Sequence, residues 1–353
     1  MLKIIKILGI LLGLLGLGVG GFLAYLTIMD YTPNEKETVF VDKQQKIDEF
    51  SGDKLSIMSW NLGYGGLDET QDFFMDGGET VLNDSEDRVK ENVNAIGNII
   101  KNNDIDVYLF QEVDINSKRS YGINEYQEIK NIKKDYDSTF AYNYKVSYVP
   151  YPWPMMGHVE SGLASLSRYN ISSSTRYQFP GNYSWPKKLG FLDRCFVENK
   201  ISISGSDKKI VIINTHNSAY DSDGSLRKQQ LEYLKNYLKE LYENGDYIIV
   251  GGDWNHILPG IKSNEFETEN EAPKWVQYMD ENWKLEGWNW GKSNNAPTVR
   301  GLNQSFKKGK NFTTVIDGFL VSPNIEIESA KNLDLNFVNS DHNPVIISVN
   351  LKN

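Results

Sequence analysis

Polar side chains that could take part in hydrolysis stand at the ends of several apolar segments of this sequence. The segment IVGGDWNH begins with Ile249 and Val250, passes through two glycines and reaches Asp253 and Asn255. Such a run predicts a buried strand whose end carries a carboxylate and an amide. A single polar strand end is unremarkable, because every strand must reach water, so the pattern has weight only if it recurs.

The pattern recurs in five other segments. These are LSIMSWN, DVYLFQE, KIVIINTH, TTVIDGFLV and NSDHNPVIISV, and they bring in Asn61, Glu112, His216, Asp317, Asp341 and His342. Every one of these residues is Asn, Asp, Glu or His, and none is Lys. Asp317 stands apart because it lies within its apolar run, where a buried carboxylate needs a partner.

These residue types indicate metal-assisted chemistry on a phosphate ester. Carboxylate and amide oxygens are hard ligands that suit Mg²⁺, or alternatively Mn²⁺ or Ca²⁺. Two histidines can accept or donate a proton near pH 7, and a buried aspartate fixes the tautomer of a neighbouring histidine. The sequence has no P-loop, no G-x-S-x-G, no H-E-x-x-H and no G-x-G-x-x-G after its first strand. Attack of water on a phosphorus centre fits this inventory best.

Composition narrows the class of protein further. The chain has 353 residues, of which 40% are hydrophobic and 24% are charged, which is ordinary for a globular protein. Its single cysteine, Cys195, excludes an internal disulfide framework and a cysteine-based zinc site. The net charge of −10 argues against unaided binding to nucleic acid or to an anionic membrane, although a bound divalent cation could offset it locally.

The N-terminal segment predicts a membrane anchor. Residues 7–29 carry no charge, and a helix of that length spans about 35 Å, enough to cross a hydrocarbon core of about 30 Å. Lys3 and Lys6 precede the span and Asp30 follows it, so we expect a single-pass protein in the cell membrane with a cytoplasmic N-terminus and an exported body. A signal peptide cleaved near GVG, residues 18–20, is the alternative. The anchor is favoured because apolar residues continue past that point.

The remaining pattern predicts a mixed body with more strands than helices. We expect an anchor at 1–30, a polar stalk at 31–50 and a catalytic domain at 51–353. Apolar residues at helical spacing predict helices at 85–102 and 225–242. Strands are predicted at 55–60, 106–111, 139–148, 163–168, 191–203, 209–214, 247–251, 312–321 and 344–350.

The order of the polar-ended segments resembles the endonuclease/exonuclease/phosphatase family. The resemblance rests on SWNLGYGG, LFQEVD, INTHNSAYD, GGDWN, APTVRG with VIDGFLVS, and SDHNPV, and it covers about residues 54–351. Each motif is weak alone, but together in this order they are specific. The resemblance implies an α/β (α+β) four-layer sandwich, in which two packed, mostly antiparallel β-sheets are flanked by helices.

The resemblance also implies ligands for the metal. Glu112 would be its principal protein ligand, with Asn61 at the same ion and Asp341 holding the cluster of metal and water. Arg194 is a weaker candidate for a phosphate contact, and a surface strand arginine is an equally good interpretation of it.

The implied catalytic residues complete the site. His342 would be the general base, oriented by Asp317. Asp253 and Asn255 would bind or orient the attacking water and the phosphate. His216 would stabilise the phosphoryl oxygens or protonate the leaving group. The other two histidines, at positions 158 and 256, have no role in the family pattern and are expected to be surface polar residues.

The substrate stays open at this stage. A lipid or other surface phosphodiesterase is favoured by the anchor and by the aromatic segment VPYPWPMMGH, residues 149–158. Tryptophans crowded at positions 275, 283, 288 and 290 could also touch lipid, although core packing explains them as well. An exported DNA or RNA endonuclease is supported by His216, but basic patches are scarce. A phosphomonoesterase would need denser lysine and arginine.

A catalytically inactive, anchored binding module is the alternative from another class. It is disfavoured because all eight polar residues that the family pattern requires are present. The partners expected from the sequence are therefore a phosphoester substrate, either a lipid headgroup or a nucleic acid, and the membrane itself through the N-terminal helix. No obligate protein partner is indicated.

Overall fold

A computed structural model describes residues 2–44, 49–221, 223–262 and 264–352. Within these ranges the helices are α1 (Leu2–Ile28), α2 (Glu86–Asn102), α3 (Glu125–Ile132) and α4 (Ser225–Tyr242). The strands are β1 (Lys36–Thr38), β2 (Val41–Asp42), β3 (Lys54–Asn61), β4 (Val107–Asp114), β5 (Asp137–Val149), β6 (Gly157–Ser167), β7 (Ile171–Gln178), β8 (Cys195–Ser202), β9 (Lys209–His216), β10 (Tyr247–Asp253), β11 (Asn289–Gly291), β12 (Val299–Arg300), β13 (Thr313–Thr314), β14 (Asp317–Val321), β15 (Ile325–Asn332) and β16 (Val345–Leu351). Short 3-10 turns lie at Gly63–Gly65, Phe74–Asp76, Lys118–Ser120 and Lys187–Gly190.

Two seven-stranded sheets form the body. One has the order β1-β7-β8-β9-β10-β14-β11 and the other the order β15-β16-β3-β4-β6-β5-β2. Neighbouring strands are antiparallel except for one parallel pair in each sheet, β9 with β10 and β3 with β4. The expectation of two packed, mostly antiparallel sheets is therefore confirmed.

The apolar strands are covered on both faces, which explains why their sequences are nearly continuous in apolar residues. Leu109 of β4 packs in the core between the sheets with Ile212 of β9 and Ile249 of β10. The neighbouring side chains Tyr108 and Phe110 point the other way and pack with α2 and α3, as the two-residue period of a strand requires. Helix α4 covers the outer face of the other sheet. The layers are thus helix, sheet, sheet and helix.

The long amphipathic helices form where their spacing predicts them. The side chain of Ser85 caps α2 by accepting a hydrogen bond from the Arg88 N–H at 3.2 Å. In α4 the leucines at positions 231, 234, 238 and 241 are buried against the sheet. The crowded tryptophans also belong to this region, and Trp283 and Trp288 are buried in the same core cluster. Core packing therefore accounts for them better than contact with lipid.

The segment expected to be a polar stalk differs from that expectation. Residues 36–38 pair with β7 at the edge of one sheet, and residues 41–42 pair with β5 at the edge of the other. Val39, between them, is buried. Edge strands need few apolar residues because one side faces water, so their polar sequence gave no strand signal. The edge strand β15 escaped prediction for the same reason, and β7, which has only the short β1 between it and the edge of its sheet, is similarly polar and was also missed.

Helix α1 projects from the body. It is long and apolar enough to cross a membrane by length and composition, and its most apolar stretch is unburied. Only its C-terminal end packs against the rest of the chain, where Leu26 is buried. An apolar helix near the N-terminus can be a membrane span or a signal sequence.

Candidate active site

The two parallel strand pairs bring the predicted polar residues to one edge of the sandwich. His216 at the end of β9 stands opposite Asp253 at the end of β10. Asp253 in turn stands opposite Asp317, the first residue of β14. On the other sheet Asn61 ends β3 beside β4, which carries Glu112. Parallel neighbours end on the same side of a sheet, so these side chains converge as a consequence of topology.

Glu112 is presented by an irregularity in β4. The pairing of β4 with β6 shifts between Phe110 and Val113, which is a β-bulge. The backbone of Glu112 itself has φ 52°, in the left-handed region that non-glycine residues seldom adopt. A bulge re-aims a side chain next to a site, and the carboxylate of Glu112 keeps 26% of its surface exposed while its neighbours are buried.

His342 and Asp317 form a buried pair. The Nδ1 atom of His342 lies 2.9 Å from an Asp317 carboxylate oxygen. The Asp317 backbone N–H donates to the Thr298 hydroxyl at 3.1 Å, and the Trp60 indole N–H donates to the His342 carbonyl at 2.9 Å. Because Asp317 accepts from Nδ1, the neutral imidazole presents Nε2 as its proton acceptor.

The Nε2 atom of His342 points toward further carboxylates. It lies 3.8 Å from Asp253 and 4.0 Å from Asp341. Asn61 bridges the two sheets, since its amide nitrogen donates to Asp253 at 3.1 Å and to Glu112 at 3.2 Å. Its carbonyl oxygen accepts the Gly63 N–H at 3.0 Å.

His216 is a buried, neutral imidazole. Burial lowers its pKa well below the usual value, and the nearby positive charges of Arg194 and His342 lower it further. The Asn143 amide nitrogen lies 3.4 Å from Nδ1, so Nε2 is the protonated nitrogen. That Nε2–H points toward Asp253 at 3.5 Å and toward Glu112 at 3.9 Å. The arrangement suits a hydrogen-bond donor to a phosphoryl oxygen better than a proton donor to the leaving group.

Asn255 and Arg194 complete the polar surface. The Asn255 backbone N–H donates to Asp253 at 2.9 Å, and its side-chain amide donates to the Asn217 carbonyl at 2.8 Å. Like Glu112, Asn255 has a left-handed backbone, with φ 50°. The Nη1 atom of Arg194 is buried without a hydrogen-bond partner among the described residues. An unpaired guanidinium beside a polar cleft is suited to bind a phosphate.

A cavity of about 460 Å³ opens above these residues. Its polar floor, as we name it, consists of Glu112, His216, Asp253, Asn255, Asp341 and His342. Its apolar wall consists of Phe73, Phe74, Val149, Met156, Phe191 and Leu192. Arg194 lines the same cavity, whereas Asn61 and Asp317 lie behind the floor and hold its residues.

The carboxylates of the polar floor favour the binding of a cation. Burial raises the pKa of Asp253 to about 7, and the adjacent Asp317 adds to this shift. Burial likewise raises the pKa of Asp341 to about 6. One carboxylate oxygen of Asp341 is buried without a hydrogen-bond partner in the described part of the chain. Together with Glu112 these are hard oxygen donors whose burial disfavours the charged form, so the residues present fit a divalent cation that would stabilise it.

Asp253, Asp317 and His342 also place ligand atoms within 4.8 Å of one another. Nδ1 of His342 is already engaged by Asp317 at 2.9 Å, which favours a proton-transfer role for this group over metal binding. Burial lowers the pKa of His342, but Asp317, Asp341 and Asp253 outweigh burial and raise it to about 10. A cation that offsets their charge would bring the pKa of His342 back down.

All nine predicted site residues thus lie in or directly behind one cavity. Sequence reasoning missed Asn143, Thr298 and Ser340, which orient His216, Asp317 and His342. Ser340 stands two residues before His342 and could have been included with its motif. Asn143 and Thr298 gave no usable signal, because their role depends on strand pairing. His256 is not the surface residue expected, since it is buried with Nδ1 at 2.8 Å from the Trp254 carbonyl. His158 is exposed, as expected.

The chain belongs to the endonuclease/exonuclease/phosphatase family, whose model matches residues 58–342. No curated protein matches it in sequence. Among solved structures it resembles an endonuclease/exonuclease/phosphatase from Beutenbergia cavernae DSM 12333, with a TM-score of 0.59, 16% identity and coverage of 85% of this chain and 72% of that one.

Two further structures share the fold. One is TDP2 from Caenorhabditis elegans, with a TM-score of 0.53, 14% identity and coverage of 85% of this chain and 75% of that one. The other is ANGEL2, a 2′,3′-cyclic phosphatase in complex with adenosine-2′,3′-vanadate. It has a TM-score of 0.54, 14% identity and coverage of 89% of this chain and 99% of that one. The family assignment makes a hydrolase acting on phosphoester bonds the coarse function of this chain.

Proposed function

We propose that this chain is a membrane-anchored, divalent-metal-dependent phosphodiester hydrolase whose body lies outside the cytoplasmic membrane. The observation that carries the proposal is the polar floor, where His342, held from behind by Asp317, faces the carboxylates of Asp253 and Asp341. Fold membership alone would not support an activity. The similar fold of ANGEL2, a 2′,3′-cyclic phosphatase, is consistent with phosphoester chemistry.

In the proposed reaction a water molecule attacks phosphorus in line with the leaving group, and the P–O bond to the leaving group breaks as the new bond forms. The departing oxygen takes its proton from solvent water. His342 accepts the proton of that water at Nε2, while Asp317 holds Nδ1 and stabilises the imidazolium. Asp253 and Asn255 orient the water and the phosphate. His216 donates a hydrogen bond from Nε2 to a non-bridging oxygen, and Arg194 offsets the charge on another.

Glu112, with Asn61 and Asp341, would hold the cation. A bound Mg²⁺ or Mn²⁺ would polarise the phosphoryl oxygens and offset charge that builds up in the transition state. Asp341 supports this role through its buried oxygen without a partner. A cation held by Asp341 would offset one of the charges that raise the pKa of His342, which would make His342 a better base.

The anchor is proposed from α1 and its flanking charges. Lys3 and Lys6 before the span and Asp30 after it favour a cytoplasmic N-terminus. Nucleic acid is the less favoured substrate, because the cavity has an apolar wall and the chain is acidic.

The test uses the full chain in detergent micelles or vesicles, with Mg²⁺, Mn²⁺ or EDTA. Three substrates are compared: bis-p-nitrophenyl phosphate, sphingomyelin-containing vesicles and plasmid DNA. The proposal expects metal-dependent turnover that is lost in His342→Ala. Turnover that persists in EDTA or in His342→Ala would refute it, as would a folded protein that hydrolyses none of the three. A preference for plasmid DNA would establish the nuclease alternative.

A further inference from the structure

Two segments surround the mouth of the cavity, and we name them together the aromatic rim. One is residues 147–157, which comprises the end of β5, the connection to β6 and the first residue of β6. The other is residues 181–192, which lies between β7 and β8. On their inner side they supply Val149, Met156, Phe191 and Leu192 to the apolar wall. The same two segments therefore have one side in the cavity and another side on the surface of the molecule.

The outer side of the aromatic rim exposes large aromatic side chains. Trp153 is 81% exposed and Trp185 54%, and Tyr151, which also lines the cavity, is 72% exposed. In a water-soluble protein such rings are normally buried, and a cluster of them marks an interaction surface. Trp and Tyr are the side chains that prefer the boundary between membrane and water.

The aromatic rim also touches the end of α1. The Trp185 indole N–H donates to the Thr27 hydroxyl at 3.1 Å, and the Ser147 hydroxyl donates to the Met29 carbonyl at 3.3 Å. The Phe22 and Tyr148 rings meet edge to face with centroids 6.1 Å apart. These contacts join both segments of the rim to the apolar helix.

The positions of the contacts along α1 set the depth of the rim. At 1.5 Å per residue, Phe22 lies about 10 Å along the helix axis from Met29. A side chain that touches Phe22 is therefore level with the last two turns of the apolar helix. If α1 lies in a bilayer, Tyr148 and Trp185 must lie within its interfacial layer.

The low charge of the aromatic rim also favours a membrane as its partner. Residues 147–157 carry no charged side chain, and residues 181–192 carry only Lys187 and Lys188, in a chain whose net charge is −10. Lys188 forms an ion pair with Asp30 at 3.0 Å, just beyond the apolar span. Because Asp30 offsets the charge of Lys188, the rim carries little net charge, which suits a surface that enters the interfacial layer.

We infer that the aromatic rim rests in the bilayer that holds α1, so that the cavity opens at the headgroup layer. Its substrate is then an amphiphilic phosphoester that resides in the same bilayer, with its phosphate on the polar floor and its apolar part along the apolar wall. The surface inference rests on α1 as an anchor, and the substrate class rests in addition on the proposed hydrolase function.

Contact with the bilayer can be measured without any turnover. The full chain is reconstituted in vesicles of phosphatidylcholine and phosphatidylglycerol, with an environment-sensitive NBD fluorophore on Trp153→Cys or Trp185→Cys. Cys195 is fully buried and does not compete for the label. Lys208→Cys is the matched control, because Lys208 is exposed beside the start of β9, at the opposite end of that strand from His216.

The inference expects blue-shifted emission at positions 153 and 185 that brominated lipid chains quench, and neither effect at position 208. Water-like emission at 153 and 185 would overturn it. A blue shift that brominated lipids leave unquenched would also overturn it, because the rim would then contact protein, either a second copy or another chain.

A second measurement concerns the substrate. The double variant Trp153→Ser/Trp185→Ser lies outside the cavity lining. We expect it to lower turnover of sphingomyelin in vesicles about tenfold, since interfacial contact scales with buried apolar area, and to leave hydrolysis of bis-p-nitrophenyl phosphate unchanged. An equal loss of turnover on both substrates would contradict the inference that the substrate is taken from the bilayer. A wild-type protein inactive on both would refute the proposed function, while the fluorescence result would still decide the surface.

Discussion

The polar floor and the apolar wall enclose the same cavity but are built in different ways. Floor residues such as Glu112, Asp253 and His216 stand at or near strand ends whose register is fixed by hydrogen bonding. Wall residues such as Phe74, Met156 and Leu192 come from connecting segments. The sheet topology therefore positions the residues proposed for the chemistry. The connecting segments, which can vary without disturbing the sheets, form the part of the cavity that selects the substrate.

We expect the largest effect on turnover from a substitution in the polar floor. Glu112→Gln keeps the size of the side chain but removes a charge from the floor, and we expect the turnover number for bis-p-nitrophenyl phosphate to fall about 10²–10³-fold. His158→Asn, at an exposed position, is the control. A Glu112→Gln protein that folds normally and keeps near wild-type turnover would show that the floor is not the reacting site.

His256 follows Asp253 and Asn255 in the segment IVGGDWNH, but unlike them it does not line the cavity. Its burial predicts an effect on the pH dependence of stability. Burial lowers the pKa of His256 to about 4, although its hydrogen bond to the Trp254 carbonyl acts in the opposite direction. The unfolded chain, with a histidine pKa of about 6.5, binds the proton first as pH falls. Stability is therefore lost between about pH 6.5 and 4, by about 3 kcal/mol for this group.

We expect His256→Asn to flatten the dependence of the unfolding free energy on pH in that window, because asparagine does not titrate. Urea unfolding at a series of pH values measures the slope, and the slope is compared rather than the absolute stability. His158→Asn, at an exposed position, is the matched control. An unaltered slope in His256→Asn would show that this imidazole is accessible to protons in the folded state.

Cation binding should distinguish the floor from the wall without any substrate. A ligand that binds only the folded state stabilises it by about 2.7 kcal/mol at a hundred times its dissociation constant. Mg²⁺ or Mn²⁺ should raise the melting temperature of the wild-type chain and of Leu192→Ser, and the increase should disappear in Glu112→Gln. An equal rise in all three proteins would place the cation elsewhere.

The smallest effect concerns the wall. Leu192→Ser removes apolar surface from the cavity, worth about 1–2 kcal/mol toward a substrate with an apolar chain. We expect kcat/KM to fall about tenfold for such a phosphodiester and to change little for bis-p-nitrophenyl phosphate. Val338→Ser, at an exposed apolar position, is the matched control. A uniform decrease for both substrates in Leu192→Ser would mean that the wall supports the floor instead of selecting the substrate.

The contrast between the polar floor and the apolar wall also explains which parts of the molecule the sequence could predict. The floor was foreseeable because each of its residues follows or enters an apolar strand, and because this pattern recurs in six segments of the chain. The central strands and both long helices were foreseeable from periodicity. The resemblance to a family then supplied the pairing of the sheets and the role of each polar residue.

What could not be foreseen depended on contacts between distant parts of the chain. Residues 31–50 were predicted as a stalk because polar edge strands carry no apolar signal, yet residues 36–38 pair with one sheet and residues 41–42 with the other. Asn143 is defined only by the side chain of His216 that it meets. The aromatic segment 149–158 stood out in the sequence, but its place in the wall did not, because no periodicity shows which connecting segments meet above a strand end.

Asn61 lies on one sheet and Asp253 on the other, 192 residues apart along the chain, yet their side chains share a hydrogen bond. A partly folded chain with only one sheet formed would contain half of the constellation. Folding toward this site must close a very long loop, a step that is intrinsically slow. Recovery of activity during refolding would therefore report the docking of the two sheets, and would follow the recovery of secondary structure rather than accompany it.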